Sequence, residues 1–273
     1  EKTLQIHFDI GASAQKVLED IILKMVNHIY SKTKMKNLCI GGGVALNGVA
    51  NYKILTQSPF DNIHIPPSPG DAGSAVGAAQ YLYHIYHKNP KNTFKNNADL
   101  IRENIYVGPS FSNNKIKEFL DSKNISYRSF DREPLLKRTA QLIADGNVVG
   151  WYQGKMEWGP RALGNRSILA DPRKAEMKDI LNQKIKHRES FRPFAPSIME
   201  EYTSEYFDMD IPSPYMLMVS PVKKPKKIPA VTHVDGTGRI QTVSKETNSL
   251  YYDLINEFFK ITGVPVIINT SMN

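Results

Sequence analysis

The sequence contains a single cysteine, Cys39, so it can form neither an internal disulfide framework nor a cluster of thiolate zinc ligands. Cys39 lies in an apolar run with Leu38 and Ile40, where we expect it to be a small buried hydrophobe. No stretch approaches the roughly 18 apolar residues of a membrane-spanning helix, and the first ten residues lack the layout of a secretory signal. We therefore expect a cytoplasmic protein with no membrane partner.

Arginine is absent from the first 100 residues, although the whole chain carries a net charge of +8. The planar guanidinium group grips phosphate or carboxylate with two hydrogen bonds, so this distribution favours anionic ligands in the second part of the chain. A basic module that binds nucleic acid is an alternative, but the arginines are scattered and no aromatic platform motif accompanies them. We expect no nucleic-acid partner. The chain also lacks two histidines four residues apart, the spacing of a zinc-binding helix, so any metal site in it is expected to be incomplete.

The first 88 residues alternate strands, glycine turns and helices, which is typical of α/β folds. Apolar residues at helical spacing predict a helix from an N-cap at Ser13 to Tyr30. Two strand–turn–helix units follow. Their predicted strands, turns and helices cover residues 38–40, 41–43 and 44–51 in the first unit, and residues 62–67, 68–73 and 74–87 in the second.

Residues 89–104 are polar and rich in Asn and Lys, which predicts a linker between two domains, 1–88 and 105–273. The second domain is predicted to be α+β or mixed α/β. Its predicted helices cover residues 112–123, 134–144 and 251–260, and its predicted strands cover residues 148–152, 214–222 and 263–268.

Two glycine turns in the first domain are candidate ligand contacts. Gly41, Gly42 and Gly43 would let the backbone approach a nucleotide, but such a turn can equally be a packing device. Asp71 follows a second glycine turn, where its carboxylate could bind a metal or serve only as a helix cap. Turns that follow neighbouring strands meet at one edge of a sheet, which favours a shared site.

The strongest signal is a basic segment in the second domain, over residues 150–173 and 185–196. Its cations alternate with glycine, proline and aromatic residues instead of covering an exposed helix face, which predicts a partly buried phosphate or polyphosphate site. These cations are Lys155, Arg161, Arg166, Arg173, Lys186, Arg188 and Arg192. Polar groups of two later segments could add to the site, although His233 alone is better explained as a structural histidine than as a ligand. These groups are His233, Asp235, Arg239, Asn269, Thr270, Ser271 and Asn273.

Several long motifs resemble the nodulation-type family of O-carbamoyltransferases, whose members carbamoylate sugars and antibiotics. They are LCIGGGVALNGVAN, PPSPGDAGSAVGAA, GWYQGKMEWGPRALGNRSILADPR, IKHRESFRPFAPSIM, PAVTHVDGTGRIQTV and GVPVIINTS. The resemblance implies part of an actin-like ATPase domain of the threonylcarbamoyl-transfer type, followed by a threonylcarbamoyl-AMP-synthase-like domain. It also implies formation of carbamoyl-adenylate from carbamoyl phosphate and ATP, and transfer of the carbamoyl group to a hydroxyl of a small-molecule acceptor.

The resemblance also implies roles for individual residues. Arg161, Lys186, Arg239 and Ser271 would act on carbamoyl phosphate and ATP, and Asp71 would bind a divalent metal, either iron, zinc or magnesium. The remaining expected contacts to substrate or nucleotide are Gly41, Gly42, Gly43, Asn47, Lys155, Asn165, Arg166, Arg188, Arg192, His233, Asn269 and Thr270.

The first half of the actin-like domain, with the paired histidines that would complete its metal site, has no counterpart here. We therefore expect a fragment of a longer enzyme that binds carbamoyl phosphate or ATP within residues 105–273 without completing transfer. Met272 also stands where the family usually has phenylalanine. We leave a homodimer open as the assembly. A tRNA-modifying enzyme that makes threonylcarbamoyl-adenosine is the main rival, since it shares both folds and differs in using threonine and bicarbonate.

Overall fold

The computed structural model describes residues 4–91, 96, 99, 101 and 105–273. Most of the linker predicted over residues 89–104 lies outside the described residues, and the two-domain division stays a prediction. The described residues form two sheets surrounded by helices, one small and parallel, the other large and mixed. The mixed α/β character predicted from the sequence is confirmed.

The amino-terminal part contains a long helix followed by two strand–turn–helix units. Its elements are α1 (Gln5–Thr33), β1 (Asn37–Cys39), a 3-10 turn (Gly43–Leu46), α2 (Gly48–Gln57), β2 (Asn62–His64) and α3 (Asp71–Gln80), which continues as a π-helical segment (Tyr81–Tyr86).

Helix α1 begins eight residues before the predicted N-cap at Ser13, so that prediction was wrong. The Ser13 hydroxyl instead donates a hydrogen bond of 2.7 Å to the carbonyl oxygen of Asp9, one turn earlier. A serine can satisfy its hydroxyl within a helix in this way, so its cap preference does not fix the helix start.

Strands β1 and β2 pair in parallel, with Leu38 opposite Ile63. Leu38 packs with Val26, Ile54 and Phe60 in a small core between the strands and helices α1 and α2. Cys39 is exposed, which contradicts the prediction of a buried thiol. Successive strand residues point to opposite faces, so burying Leu38 turns Cys39 outward.

The carboxyl-terminal part is built on a six-stranded sheet in the order β3-β4-β8-β5-β7-β6. Only the β5–β7 pair is parallel, and the other neighbours are antiparallel. The strands are β3 (Val149–Tyr152), β4 (Arg166–Ala170), β5 (Ala195–Met199), β6 (Met218–Pro221), β7 (Thr237–Val243) and β8 (Val266–Ser271).

The helices of this part are α4 (Asn113–Ser122), α5 (Arg132–Ala144), α6 (Met177–Ile180, extended by a π turn, Leu181–Ile185), α7 (Thr203–Tyr206) and α8 (Ser249–Thr262). Helices α5 and α8 pack on each other and on the sheet. Fully buried Ile143, Leu254 and Phe258 from these helices share one core with Ile198 and Ile267 from the strands.

Strands β4, β5 and β7 were not predicted, and the strand predicted over residues 214–222 is shorter, at Met218–Pro221. These three strands carry buried polar residues such as Ser167, Ser197 and Gln241, which break the apolar pattern of a core strand. Their strand conformation is stabilised by pairing with strands distant in sequence, which a local pattern does not reveal.

Helix α2 joins the two parts of the molecule. The amide of buried Asn51 donates hydrogen bonds of 2.8 Å to the carbonyl oxygens of Ala45 and Leu217. A Cβ atom on Gly48 would lie 2.9 Å from the side chain of Val219, so glycine permits the close approach of α2 to β6. The small and large sheets are therefore held in contact by α2.

Helix α1 presents an exposed apolar surface that includes Val17, Ile21, Met25 and Ile29. These positions recur every four residues, so they share one side of the helix. Nothing in the described residues covers them. No helix in the described part of the chain is both long and apolar enough to cross a lipid bilayer.

Candidate anion-binding site

The two glycine turns of the amino-terminal part lie side by side. The backbone N–H of Gly42 donates a hydrogen bond of 2.7 Å to the carbonyl oxygen of Pro69. Gly42 has φ of 91°, which requires glycine for an unstrained turn. The predicted proximity of the turns after β1 and β2 is confirmed, and it follows from the parallel pairing of the two strands.

Asn47 and Asp71 differ in how far their side chains are already bonded. Asn47 caps α2 by accepting a hydrogen bond from Ala50 N–H at 3.1 Å, and its amide donates to Gln15 at 2.7 Å. Asp71 is exposed in the first turn of α3, where Gly70 occupies the N-cap position. The cap role considered for Asp71 is therefore wrong, because the helix starts at Asp71 itself.

No three histidine, cysteine or carboxylate side chains gather into a metal-binding group within the residues that the structure describes. Asp71 thus supplies a single carboxylate, fewer ligands than a protein divalent-metal site requires. The described residues do not by themselves fit the metal that the resemblance implies.

The basic loop before β4 reaches the glycine turns of the small sheet. Gly159 in this loop has φ of 115°, and a Cβ atom there would lie 2.8 Å from the carbonyl oxygen of Pro67. The loop that carries Arg161 therefore contacts the turn between β2 and α3. A ligand held by this loop would lie close to the small sheet.

Arg161 and Arg239 are partly buried cations without a carboxylate partner among the described residues. The Nε atom of each is shielded from solvent and has no hydrogen-bond acceptor. Burial, and then the charges of Arg161 and Arg188, lower the pKa of Arg239 to about 10. Because a buried guanidinium normally has an anionic or carbonyl partner, this pair is placed to receive an anion.

Lys186 and Arg188 extend this group of cations. Lys186 contacts the Ser271 carbonyl oxygen, and its ammonium nitrogen lies 3.2 Å from the Ser271 hydroxyl. Burial, and then the charge of Arg188, lower the pKa of Lys186. Arg188 donates to the Asn182 side chain at 2.8 Å and lies over the Phe194 ring. We call Arg161, Lys186, Arg188 and Arg239 the basic cluster.

His233 lies beside the basic cluster, in the turn before β7. Its Nδ1 atom lies 3.0 Å from the hydroxyl oxygen of Thr237, and its Nε2 atom is buried without a partner. Burial lowers the pKa of His233, and the nearby charges of Arg239 and Lys178 lower it further against the opposing effect of Asp235. A neutral imidazole therefore borders the cluster.

Three predicted cations are already bonded elsewhere. Arg166 donates to the carbonyl oxygens of Gln153, Pro109 and other loop residues and stacks on Tyr152, which holds the loop together. Arg173 pairs with fully buried Asp171 at 2.6 Å. Arg192 is exposed and pairs with Glu189 at 2.8 Å. The structure does not bring these three into the basic cluster as free cations.

Lys155 and Asn165 line a separate cavity of about 720 Å³ beside the amino end of α8. Asn165 is fully engaged there, since its amide donates to the Lys155 carbonyl oxygen at 2.7 Å and its oxygen accepts from Asn248 at 2.9 Å. The polar groups around Asn165 thus satisfy one another, which favours a structural role for this side chain.

Two buried side chains that sequence reasoning missed position the basic loop. One Glu157 carboxylate oxygen accepts hydrogen bonds from the backbone N–H groups of Leu163, Asn165 and Arg166, at 2.7, 3.1 and 3.2 Å. Gln241 donates to the Leu163 carbonyl oxygen at 2.9 Å. Glu157 is the single acid between Gly150 and Ala170, and this was the available signal.

Two predicted residues on β8 lie beneath this loop. Asn269 is buried and donates to the Ala162 carbonyl oxygen at 3.1 Å and to Gln241 at 2.8 Å, while its own oxygen is buried without a partner. Thr270 is partly buried and pairs with Ile168 of β4. Asn269 therefore links the sheet to the loop that presents Arg161.

Two models of one protein family match the chain. "Carbamoyltransferase N-terminus" matches residues 1–80, and "Carbamoyltransferase C-terminus" matches residues 140–273. An uncharacterized protein of Synechocystis is 43% identical over 98% of this chain and 47% of its own length. Nodulation protein NolO of Bradyrhizobium diazoefficiens is 42% identical over 98% of this chain and 49% of its own length.

The chain thus spans about half the length of these curated relatives. A solved structure of full-length HypF in its phosphate- and nucleotide-bound form aligns with a TM-score of 0.36 and 20% identity, over 55% of this chain and 18% of that protein. That similarity is too low to establish a shared fold. The two family models and the relatives at over 40% identity agree, and the chain belongs to the carbamoyltransferase family.

Proposed function

We propose that this chain is part of an ATP-dependent O-carbamoyltransferase. In this proposal, the large sheet carries the site that makes carbamoyl-adenylate from carbamoyl phosphate and ATP. The carbamoyl group then passes to a hydroxyl of a small-molecule acceptor, such as a sugar or another natural product. The observation that carries the proposal is the basic cluster, whose cations have no carboxylate partner among the described residues.

The charge of the cluster suits a reaction between two phosphorylated molecules. Carbamoyl phosphate and ATP repel each other, and fixed cations between them offset that repulsion. Arg161 and Arg239 each hold a buried Nε donor without an acceptor, so phosphate oxygens would complete their hydrogen bonds. The site also needs little reorganisation, because Glu157 and Asn269 already fix the loop that carries Arg161.

The proposed chemistry has two balanced steps. Carbamoyl phosphate and water give carbamate and inorganic phosphate. A carbamate oxygen then attacks the α-phosphorus of ATP, and the bond from that phosphorus to the departing pyrophosphate breaks. Negative charge grows on the departing groups in both steps, and the basic cluster would stabilise it.

Transfer would follow when the acceptor hydroxyl attacks the carbamoyl carbon, with AMP as the leaving group and loss of the hydroxyl proton. The contact of Gly159 with the Pro67 carbonyl oxygen supports a short path from the basic cluster to the glycine turns, where a nucleotide would lie on Gly41, Gly42 and Gly43. Asp71 would contribute one ligand to a divalent metal there. The two steps that form carbamoyl-adenylate rely only on side chains of the basic cluster.

Pyrophosphate release from ATP tests this proposal. We expect the chain to release pyrophosphate only when carbamoyl phosphate is added, and Arg161→Ala or Arg239→Ala to slow this release at least about 100-fold. Arg132→Ala is the matched control, because Arg132 is exposed and pairs with Asp253 on the far helices. Release that needs threonine and bicarbonate instead would favour the tRNA-modifying alternative. Equal rates in the three variants would contradict the proposed role of the cluster.

A further inference from the structure

The hydrogen-bond chain around His233 determines which ring nitrogen carries the proton. The Thr237 hydroxyl lies 2.7 Å from a carboxylate oxygen of Asp235, and it also lies 3.0 Å from Nδ1 of His233. An ionised carboxylate only accepts, so the single hydroxyl proton of Thr237 is donated to Asp235. The Thr237 oxygen must then accept from the ring, which places a proton on Nδ1.

The second ring nitrogen is consequently a bare acceptor. Burial lowers the pKa of His233 below its ordinary value of about 6.5, and the charges of Arg239 and Lys178 lower it further against the opposing effect of Asp235, so the ring is neutral at pH 7. A neutral imidazole protonated on Nδ1 has a free lone pair on Nε2. That atom is buried and has no partner within the described part of the chain.

Arg239, whose charge acts on His233, belongs to the basic cluster, which offers hydrogen-bond donors. Arg161, Arg188 and Arg239 carry only N–H groups as donors, and a fully ionised phosphate group would satisfy these while leaving Nε2 without a partner. A ligand that satisfies both the arginine N–H groups and Nε2 of His233 must combine anionic oxygens with a hydrogen-bond donor. Among acyl phosphates, a carbamoyl group meets this requirement through its –NH2 group, whereas an acetyl group presents a methyl group.

We propose that His233 determines specificity for the carbamoyl group, by accepting a hydrogen bond at Nε2 from the carbamoyl –NH2 group. This inference rests on the proposed function and deepens it. It assigns acyl-group selection to His233 and Thr237, and general anion binding to the cations. The turn itself is fixed for this purpose, since His233 N–H donates to the Thr237 carbonyl oxygen at 2.7 Å.

Calorimetric binding of two acyl phosphates to the 273-residue chain tests the inference. We expect the wild type to bind carbamoyl phosphate on the order of tenfold more tightly than acetyl phosphate, because the latter leaves a buried acceptor unpaired. His233→Phe should abolish this preference. His233→Gln, whose side-chain oxygen can reach the position of Nε2, should keep part of it. Circular dichroism would verify that the variants are folded.

A second pair of variants tests the tautomer without relying on a bulky replacement. Nitrogen-15 NMR of the wild-type imidazole should show a neutral ring protonated at Nδ1. Thr237→Val removes the acceptor for that proton and should reduce the preference for carbamoyl phosphate, whereas Thr237→Ser should retain both the tautomer and the preference. A ring protonated at Nε2 in the wild type would overturn the inference.

The binding outcomes separate this inference from the proposed function. If His233→Phe weakens both acyl phosphates equally, or if the wild type shows no preference, the role of His233 is overturned and the anion site stands. If the wild type binds neither acyl phosphate, the proposed function fails and the inference fails with it. Arg161→Ala should weaken both ligands equally, which distinguishes an anion contact from an acyl-group contact.

Discussion

The ammonium nitrogen of Lys186 lies 3.2 Å from the hydroxyl oxygen of Ser271, although the two residues are 85 positions apart in sequence. Lys186 follows the π turn after α6, and Ser271 ends β8. The same ammonium group contacts the Ser271 carbonyl oxygen, so the end of β8 orients a cation of the basic cluster.

Lys186→Met should therefore weaken binding of pyrophosphate by about tenfold or more, because it removes a partly buried charge from the cluster. Ser271→Ala should have a smaller effect, since the carbonyl contact that orients Lys186 survives. Titration calorimetry measures the pyrophosphate affinity of both variants. Equal losses in the two variants would show that the serine hydroxyl itself binds the anion.

Replacing Arg239 should stabilise the ligand-free protein and abolish the further stabilisation that bound anions provide. Arg239 is buried beside Arg161 and Arg188, so its charge raises the free energy of the folded state. We expect Arg239→Met to raise the free energy of unfolding by about 1 kcal/mol without ligand. Thermal unfolding with and without pyrophosphate checks this, and a lower melting temperature without ligand would contradict it.

Removing the Glu157 carboxylate should loosen the basic loop. Glu157→Ala leaves the N–H groups of Leu163, Asn165 and Arg166 without their acceptor, at a cost of about 2–4 kcal/mol in unfolding free energy. Glu157→Gln keeps one carbonyl acceptor, so its free energy of unfolding should fall by a smaller amount. Urea denaturation of both variants provides the comparison, and equal stability of Glu157→Ala and wild type would refute this role.

Stability should fall in weak acid partly because of His233. Its folded-state pKa lies below its ordinary value of about 6.5. As pH falls through that value, the unfolded chain takes up a proton that the folded protein does not, so the free energy of unfolding decreases. His233→Gln should show a smaller decrease between about pH 7 and pH 5. Urea denaturation at several pH values measures the free energy of unfolding of both proteins. An equal decrease with pH in wild type and His233→Gln would contradict the prediction.

The contact between the two sheets should depend on Asn51. Asn51→Ala leaves the buried carbonyl oxygens of Ala45 and Leu217 unpaired, which should cost about 2 kcal/mol. Tyr52→Phe on the same helix is the control, because it removes a hydrogen bond of 2.9 Å from Tyr52 to the Asp208 carbonyl oxygen at an exposed position. We expect Tyr52→Phe to lower the free energy of unfolding by less than about 1 kcal/mol, as measured by chemical denaturation.

The amino-acid sequence determined the local elements whose pattern is complete within a short window. The helical spacing between Val17 and Ile29, the strand–turn–helix units around Gly42 and Gly70, and the helix that became α8 were all predicted from it. The family followed from long motifs, and the grouping of arginines after residue 100 indicated an anion site in the second part of the chain.

Only the tertiary structure decided which cations share a site. Arg166 and Arg188 have the same side chain and both lie in the basic segment, yet Arg166 is bonded to loop carbonyl oxygens while Arg188 lies near Arg239. Whether a cation is free depends on which distant acceptors the fold brings to it. Strand β4 depends in the same way on pairing with β8, which lies far away in sequence and in no short window. The hydrogen bonds that Glu157 accepts join residues within ten positions, but only the folded loop brings the three N–H groups to one carboxylate oxygen.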